Sequence, residues 1–86
     1  MNSKHTKTLT DIFTDPVSGS LEWRKMEALF VAWGAITIEG NGSRVRFELN
    51  GIVATFHRPH PEKEAKRYQV RDAREFLNKA GITPWT

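Results

Sequence analysis

Arg44-Val45-Arg46-Phe47-Glu48-Leu49-Asn50-Gly51-Ile52-Val53-Ala54-Thr55-Phe56-His57 is the stretch that decides the fold. Val45, Phe47 and Leu49 alternate with Arg44, Arg46 and Glu48, the period of a strand with one buried face. Asn50-Gly51 is the strongest short hairpin signal, because both central residues of the favoured two-residue turn need positive φ. The alternation then resumes, with Ile52, Ala54 and Phe56 apolar and Val53, Thr55 and His57 opposite. A two-residue turn fixes the register. Leu49 faces Ile52, Phe47 faces Ala54 and Val45 faces Phe56 on the apolar side. Arg46 faces Thr55 and Arg44 faces His57 on the other, so three basic side chains and a threonine gather at the open end of the hairpin.

Working outward, residues 35–39 carry β-branched Ile36, Thr37 and Ile38 and read as a short strand. Gly40-Asn41-Gly42-Ser43 breaks it with a tight turn. Upstream, Met26, Leu29, Phe30 and Trp33 recur at helical spacing, with Trp23 one turn earlier. This predicts a core-facing helix from about Glu22 to Trp33, capped by Ser20 and stopped at Gly34. Downstream, Arg58-Pro59-His60-Pro61 cannot extend a central strand, since both prolines lack the donor. A basic connection follows over 62–68. Val70, Ala73, Phe76, Leu77 and Ala80 then form one stripe of a second helix that ends at Gly81. The order is α-β-β-β-α. The expected fold is α+β: a three-stranded antiparallel sheet with two helices on one face, which buries every apolar stripe. Residues 1–20 are polar and read as a mobile N-terminal arm, with 21–86 a single domain.

Composition bounds what such a chain does. Its 86 residues contain no cysteine, so disulfides and zinc–thiolate clusters are excluded. No apolar run approaches the length of a membrane span and no secretory leader is visible, which points to a cytoplasmic protein with no membrane partner. The net charge is +3, and it is unevenly placed. Between residues 11 and 40 five carboxylates face two cations, whereas between 58 and 74 six cations face three carboxylates. The late segment, with Lys63, Lys66, Arg67, Arg71 and Arg74, suits a polyanionic partner or an acidic protein; the same charges are also free to pair with Glu64, Asp72 and Glu75.

No phosphate loop, dinucleotide fingerprint or nucleophile elbow occurs. His57 and His60 lack a carboxylate at ligand spacing, so no metal and no cofactor is expected. What remains is a histidine beside arginines. Imidazole takes a proton from a ribose 2′-hydroxyl or returns one to a leaving 5′-oxygen, and guanidinium holds the scissile phosphate. The plainer reading is that Arg44, Arg46 and His57 coat a solvated sheet face.

Gly40-Asn41-Gly42-Ser43, the alternating hairpin, His60-Pro61-Glu62-Lys63-Glu64 and the helix closing on Phe76-Leu77-x-x-Ala80-Gly81-Ile82 together resemble HicA-type toxins, over roughly residues 22–82. These are the small RNA-cleaving members of type II toxin–antitoxin pairs. The resemblance implies a double-stranded-RNA-binding-domain-like fold. It implies an mRNA interferase, an endoribonuclease that blocks translation and is neutralised by a HicB-type antitoxin. The family's catalytic signature is glycine and serine followed by histidine at the start of the second strand. Gly42 and Ser43 match, and Arg44 stands at the histidine position. Three readings are open. His57 supplies the imidazole from the neighbouring strand, with Arg44 at the phosphate; or Arg44 holds the phosphate while another group such as His60 moves the proton; or the chain binds RNA or an antitoxin without cutting. On the first, Gly42, Ser43 and Arg46 join Arg44 at the phosphate, and His60, Lys63, Lys66 and Arg67 contact RNA further along. The rivals from other classes are a non-catalytic RNA-binding module and a simple partner of an acidic protein.

Overall fold

The hairpin read from Arg44 to His57 forms at the expected register in a computed structural model, which describes residues 2–85. The elements in chain order are α1 (Ser3–Ile12), α2 (Trp23–Ala32), β1 (Ile36–Glu39), β2 (Arg44–Leu49), β3 (Ile52–His57) and α3 (Arg67–Lys79). The strands form one antiparallel sheet in the order β1-β2-β3. From α2 onward the order is the expected α-β-β-β-α. Asn50 and Gly51 have φ of 53° and 79°, the left-handed pair that a two-residue turn needs. The Asn50 amide also donates to the Ala80 carbonyl at 2.8 Å, which ties the hairpin tip to the end of α3.

One sheet face is covered and the other is open. Val45, Phe47, Leu49 and Phe56 are buried together with Met26, Leu29 and Phe30 of α2 and Val70, Ala73, Phe76 and Leu77 of α3. Phe30 is the hub, with ring centroids 5.0 Å from Phe47, 5.2 Å from Phe76 and 5.9 Å from Phe56. Burying each such ring stabilises the fold by about 1.5–3 kcal/mol, so this cluster fixes the sheet against both helices. Among the described residues no helix covers the opposite face. Ile36 and Val53 stay exposed there in line with Glu48, and Arg44, Arg46, Thr55 and His57 lie beyond them.

Three expectations need correction. Within the segment expected to be a mobile arm, Ser3–Ile12 is a helix whose Thr8, Leu9 and Ile12 are buried. Its apolar positions are too few to stand out in a polar segment, yet Leu9 and Ile12 join the common core. Arg74 locks the helix end: its Nε donates to the Ile12 carbonyl and its Nη2 to the Thr14 carbonyl, both at 3.0 Å, while its Nη1 meets Asp15 at 3.1 Å. Ser20 does not cap α2, which starts from Glu22 with no side-chain cap. The segment before α2 is fixed instead by bridging to the 58–66 connection, with Trp23 N–H donating to the Lys63 carbonyl at 2.9 Å and Ala65 N–H to Leu21 at 2.8 Å. Finally, Trp33 is at the end of α2 and 41% exposed, outside the core.

Candidate functional site

The site is built on the open end of the β2–β3 hairpin. Residues flanking a two-residue turn exchange both backbone hydrogen bonds, and the bonded and non-bonded pairs then alternate. Leu49↔Ile52 is therefore a bonded pair and Arg44↔His57 a non-bonded one. The Arg58 N–H donates to the Ser43 carbonyl at 2.9 Å just past that pair, as this alternation requires. Non-bonded pairs bring their Cα atoms to about 4.5 Å, closer than bonded ones. Arg44 and His57 thus leave the same face side by side. Both are exposed, and neither side chain has a hydrogen-bond or ion-pair partner among the described residues. Arg46, opposite Thr55, is one row further in and is also exposed and unpaired.

The β1–β2 turn closes over this end. Gly40 N–H donates to the Arg44 carbonyl at 2.9 Å, and a Cβ on Gly40 would come within 3.2 Å of Arg44. Gly42 has φ +61° and faces open space, so its backbone is approachable by a ligand. Ser43 is exposed beside it, with its carbonyl already engaged by Arg58.

Two residues that sequence reasoning missed hold the strand end in place. Gln69, in the first turn of α3, is 1% exposed. Its Nε2 donates to the His57 carbonyl at 2.7 Å, and its Oε1 accepts from Lys66 N–H at 3.0 Å. The second is Arg58. Its guanidinium grips Glu27 of α2 through Nε and Nη2 at 2.9 Å each. It also reaches Glu39 of β1 through Nη1 at 2.6 Å and Nη2 at 2.9 Å. Hydrogen bonds from Arg58 hold both carboxyls below the usual carboxylate range; burial of Glu27 opposes this, and Trp23 Nε1, 2.9 Å from Glu27, adds to it. The same bonds, Glu39 first, push the guanidinium pKa further up. Arg58 is thus a strut between α2, β1 and the end of β3. A Glu27 on the polar side of α2 and a Glu39 at a strand end gave no sign of this in sequence, because the three meet only once the sheet has formed.

The remaining expected residues fall into two groups. His60 lies in the exposed connection past β3, off the sheet, and no contact joins it to Arg44. Lys63, Lys66 and Arg67 are exposed along the approach to α3, next to the start of α2. Arg71 is exposed on α3, but Arg74 is occupied by the N-terminal segment and leaves the basic run. Nor do the expected pairings of these charges form: Glu75 is held by Lys79 at 2.9 Å, which lowers its pKa.

This arrangement offers an imidazole and guanidinium groups on an open surface, with a glycine turn at its rim. No helix is long and apolar enough to cross a membrane, and no group of three or more metal-ligand side chains occurs among the described residues. Comparison with known proteins gives one result. The family described as the HicA toxin of bacterial toxin-antitoxin matches residues 23–82, well over half of the chain. No curated protein and no solved structure matches.

Proposed function

The chain belongs to the HicA toxin family, and we propose that it is an endoribonuclease that cleaves mRNA and is silenced by a HicB-type antitoxin. Membership makes it a toxin with an antitoxin partner. The cleaving chemistry is carried here by one observation: Arg44 and His57 project together from a non-bonded cross-strand pair on the open face. Arg44 occupies the position where the family carries its histidine, and His57 brings an imidazole to nearly the same place from the next strand.

In this reading His57 takes the proton from a ribose 2′-hydroxyl as that oxygen attacks the adjacent phosphorus. The bond from phosphorus to the 5′-oxygen breaks, leaving a 2′,3′-cyclic phosphate on one fragment. The protonated His57 gives that proton up again to the departing 5′-oxygen, which becomes a hydroxyl on the other, and the imidazole returns to its neutral form. Arg44 and Arg46 hold the phosphate and offset the charge that builds on its oxygens. Gly42 and Ser43 let backbone approach the same phosphate. His60, Lys63, Lys66 and Arg67 contact the strand beyond it, where phosphate contacts position RNA without reading its sequence. The reaction uses neither a metal nor a cofactor.

Induced expression in a bacterial host tests the proposal. The parent chain should arrest growth and shorten bulk mRNA, while His57→Ala should do neither and yet accumulate as a folded protein. Arrest by the His57→Ala chain equal to that by the parent removes the imidazole from the mechanism. Retarded but intact RNA with the parent protein supports the non-cutting module in its place.

A further inference from the structure

A groove of about 650 Å³ runs between α1, the segment that precedes α2, and the first turns of α2. One wall of it is α1, which lies outside residues 23–82, the part of the chain that the family match covers. Lys4 and Lys7 line it from α1, and Arg24 and Lys25 from the first turn of α2. The facing carboxylates are Asp11 and Glu22. Their pairing leaves cationic capacity unused. Lys7 meets Asp11 at 3.2 Å, while Glu22 is shared between Lys25 at 3.5 Å and Arg24 at 3.6 Å. Arg24 meets Glu22 at 3.6 Å through Nε, beyond hydrogen-bond distance, so its guanidinium keeps donor capacity for a ligand. Lys4 has no partner among the described residues.

The groove also connects to the basic run that follows β3. The bridge between Glu22 and Glu64 fixes its floor against the Lys63–Arg67 segment. Arg67 crosses over Gly19, at the groove's rim, so closely that a methyl there would lie 2.7 Å from its Nη2. Lys4, Lys7, Arg24, Lys25 and Arg67 therefore belong to one surface. Exposed cations spread along a concave track, in excess over shared carboxylates, suit a polyanion whose phosphates exchange condensed counterions for them.

We infer that the α1–α2 groove seats the phosphate backbone of the RNA, as a track separate from the Arg44–His57 pair. This rests on the reading that the chain binds RNA, and it does not depend on cleavage. The track carries no base recognition of its own, so it adds affinity uniformly across sequences.

Fluorescence anisotropy with a labelled 24-nucleotide 2′-O-methyl RNA, which cannot undergo 2′-oxygen attack, tests this across a salt series. The groove variant is Lys4→Ala/Arg24→Ala. Lys79→Glu is the control, since it changes net charge equally at a distant site. The groove variant should bind roughly tenfold more weakly at moderate salt, and its plot of log Kd against log salt should flatten by about 1.4, or about 0.7 for each lost phosphate contact. The control should keep nearly the parent slope. If the parent binds and the groove variant matches it in affinity and slope, the groove inference alone is overturned. If the two variants weaken binding equally, net charge explains the loss, and the inference is likewise overturned. If the parent itself does not bind, the inference falls together with the proposed function. Circular dichroism confirms that each variant is folded before its binding is read.

Discussion

Replacing Gln69 by leucine would unfasten the strand end that carries His57. The side chain is almost wholly buried and makes hydrogen bonds of 2.7 Å to the His57 carbonyl and 3.0 Å to Lys66 N–H. Leucine is similar in size, so no large cavity opens, but both backbone groups lose their partner. Leaving a buried donor or acceptor unsatisfied costs about 1–3 kcal/mol each. Part of that is recovered by the greater apolarity of leucine, and a net loss of about 2–4 kcal/mol follows. For a domain of this size, each kcal/mol moves Tm by about 4–8 °C, so thermal unfolding by circular dichroism should show a drop of about 8–32 °C. Gln69→Glu adds a diagnostic of sign. Its carboxyl is buried against the His57 carbonyl oxygen, so its pKa in the folded state rises above the unfolded value. The protonated acid donates as the amide did, and the ionised form repels. Relative to the parent at each pH, Gln69→Glu should therefore be closest in stability in acid and lose ground as pH rises through the folded pKa. At a temperature where the glutamate variant remains folded, RNA cleavage should fall mainly in kcat, since the strand end and not the phosphate contacts has changed. A leucine variant within about 2 °C of the parent would refute the reasoning, because a buried polar link of this kind cannot be neutral.

The Arg58 strut sets an acid limit. Glu27 and Glu39 have folded pKa values below their unfolded ones, so the stability they contribute is present at neutral pH and is lost as pH falls through the folded values. Urea midpoints should fall between pH 6 and pH 3 in the parent, and the fall should be much smaller in Arg58→Met. Arg58→Lys should not restore it, because a lysine cannot grip two carboxylates with a planar fork. Arg74→Ala should release the end of α1, seen as faster hydrogen exchange at Phe13 and Thr14 while the strands stay protected. Asn50→Ala forces alanine into positive φ and removes the bond to the Ala80 carbonyl, so denaturant titration should register a loss of about 1–3 kcal/mol.

The parts of the fold that were legible are those whose signal is local. The β2–β3 register followed from alternation and a single Asn-Gly pair, and with it the placing of Arg44 beside His57. Gly34 and Gly81 marked helix ends and take φ of 100° and 84° there. The α3 stripe was readable because five apolar residues keep one period. The unread parts depend on partners distant in sequence. α1 is polar except at Leu9 and Ile12, and what makes it a helix on the core is packing plus Arg74, some sixty residues away. Trp33 fits the α2 period, but the helix ends at it and leaves the side chain partly exposed, outside the core. Gln69 and Arg58 look like ordinary surface residues until β3 brings the His57 carbonyl and both carboxylates to them. In the candidate site, therefore, the placing of Arg44, Arg46 and His57 on one face could be read from sequence, while Gln69 and Arg58, which hold the strand end in position, could not be singled out.

The chemistry of the RNA ends tests the proposed cleavage most directly. A labelled RNA is incubated with the purified chain in the presence of a chelator, and the fragments are resolved by mass spectrometry. Fragments ending in 2′,3′-cyclic phosphate and starting with 5′-hydroxyl are expected, with cutting abolished in His57→Ala and blocked by a 2′-deoxy nucleotide at the scissile position. Cleavage that persists in His57→Ala, or that leaves 5′-phosphate ends, would contradict attack by the 2′-oxygen under the control of this imidazole.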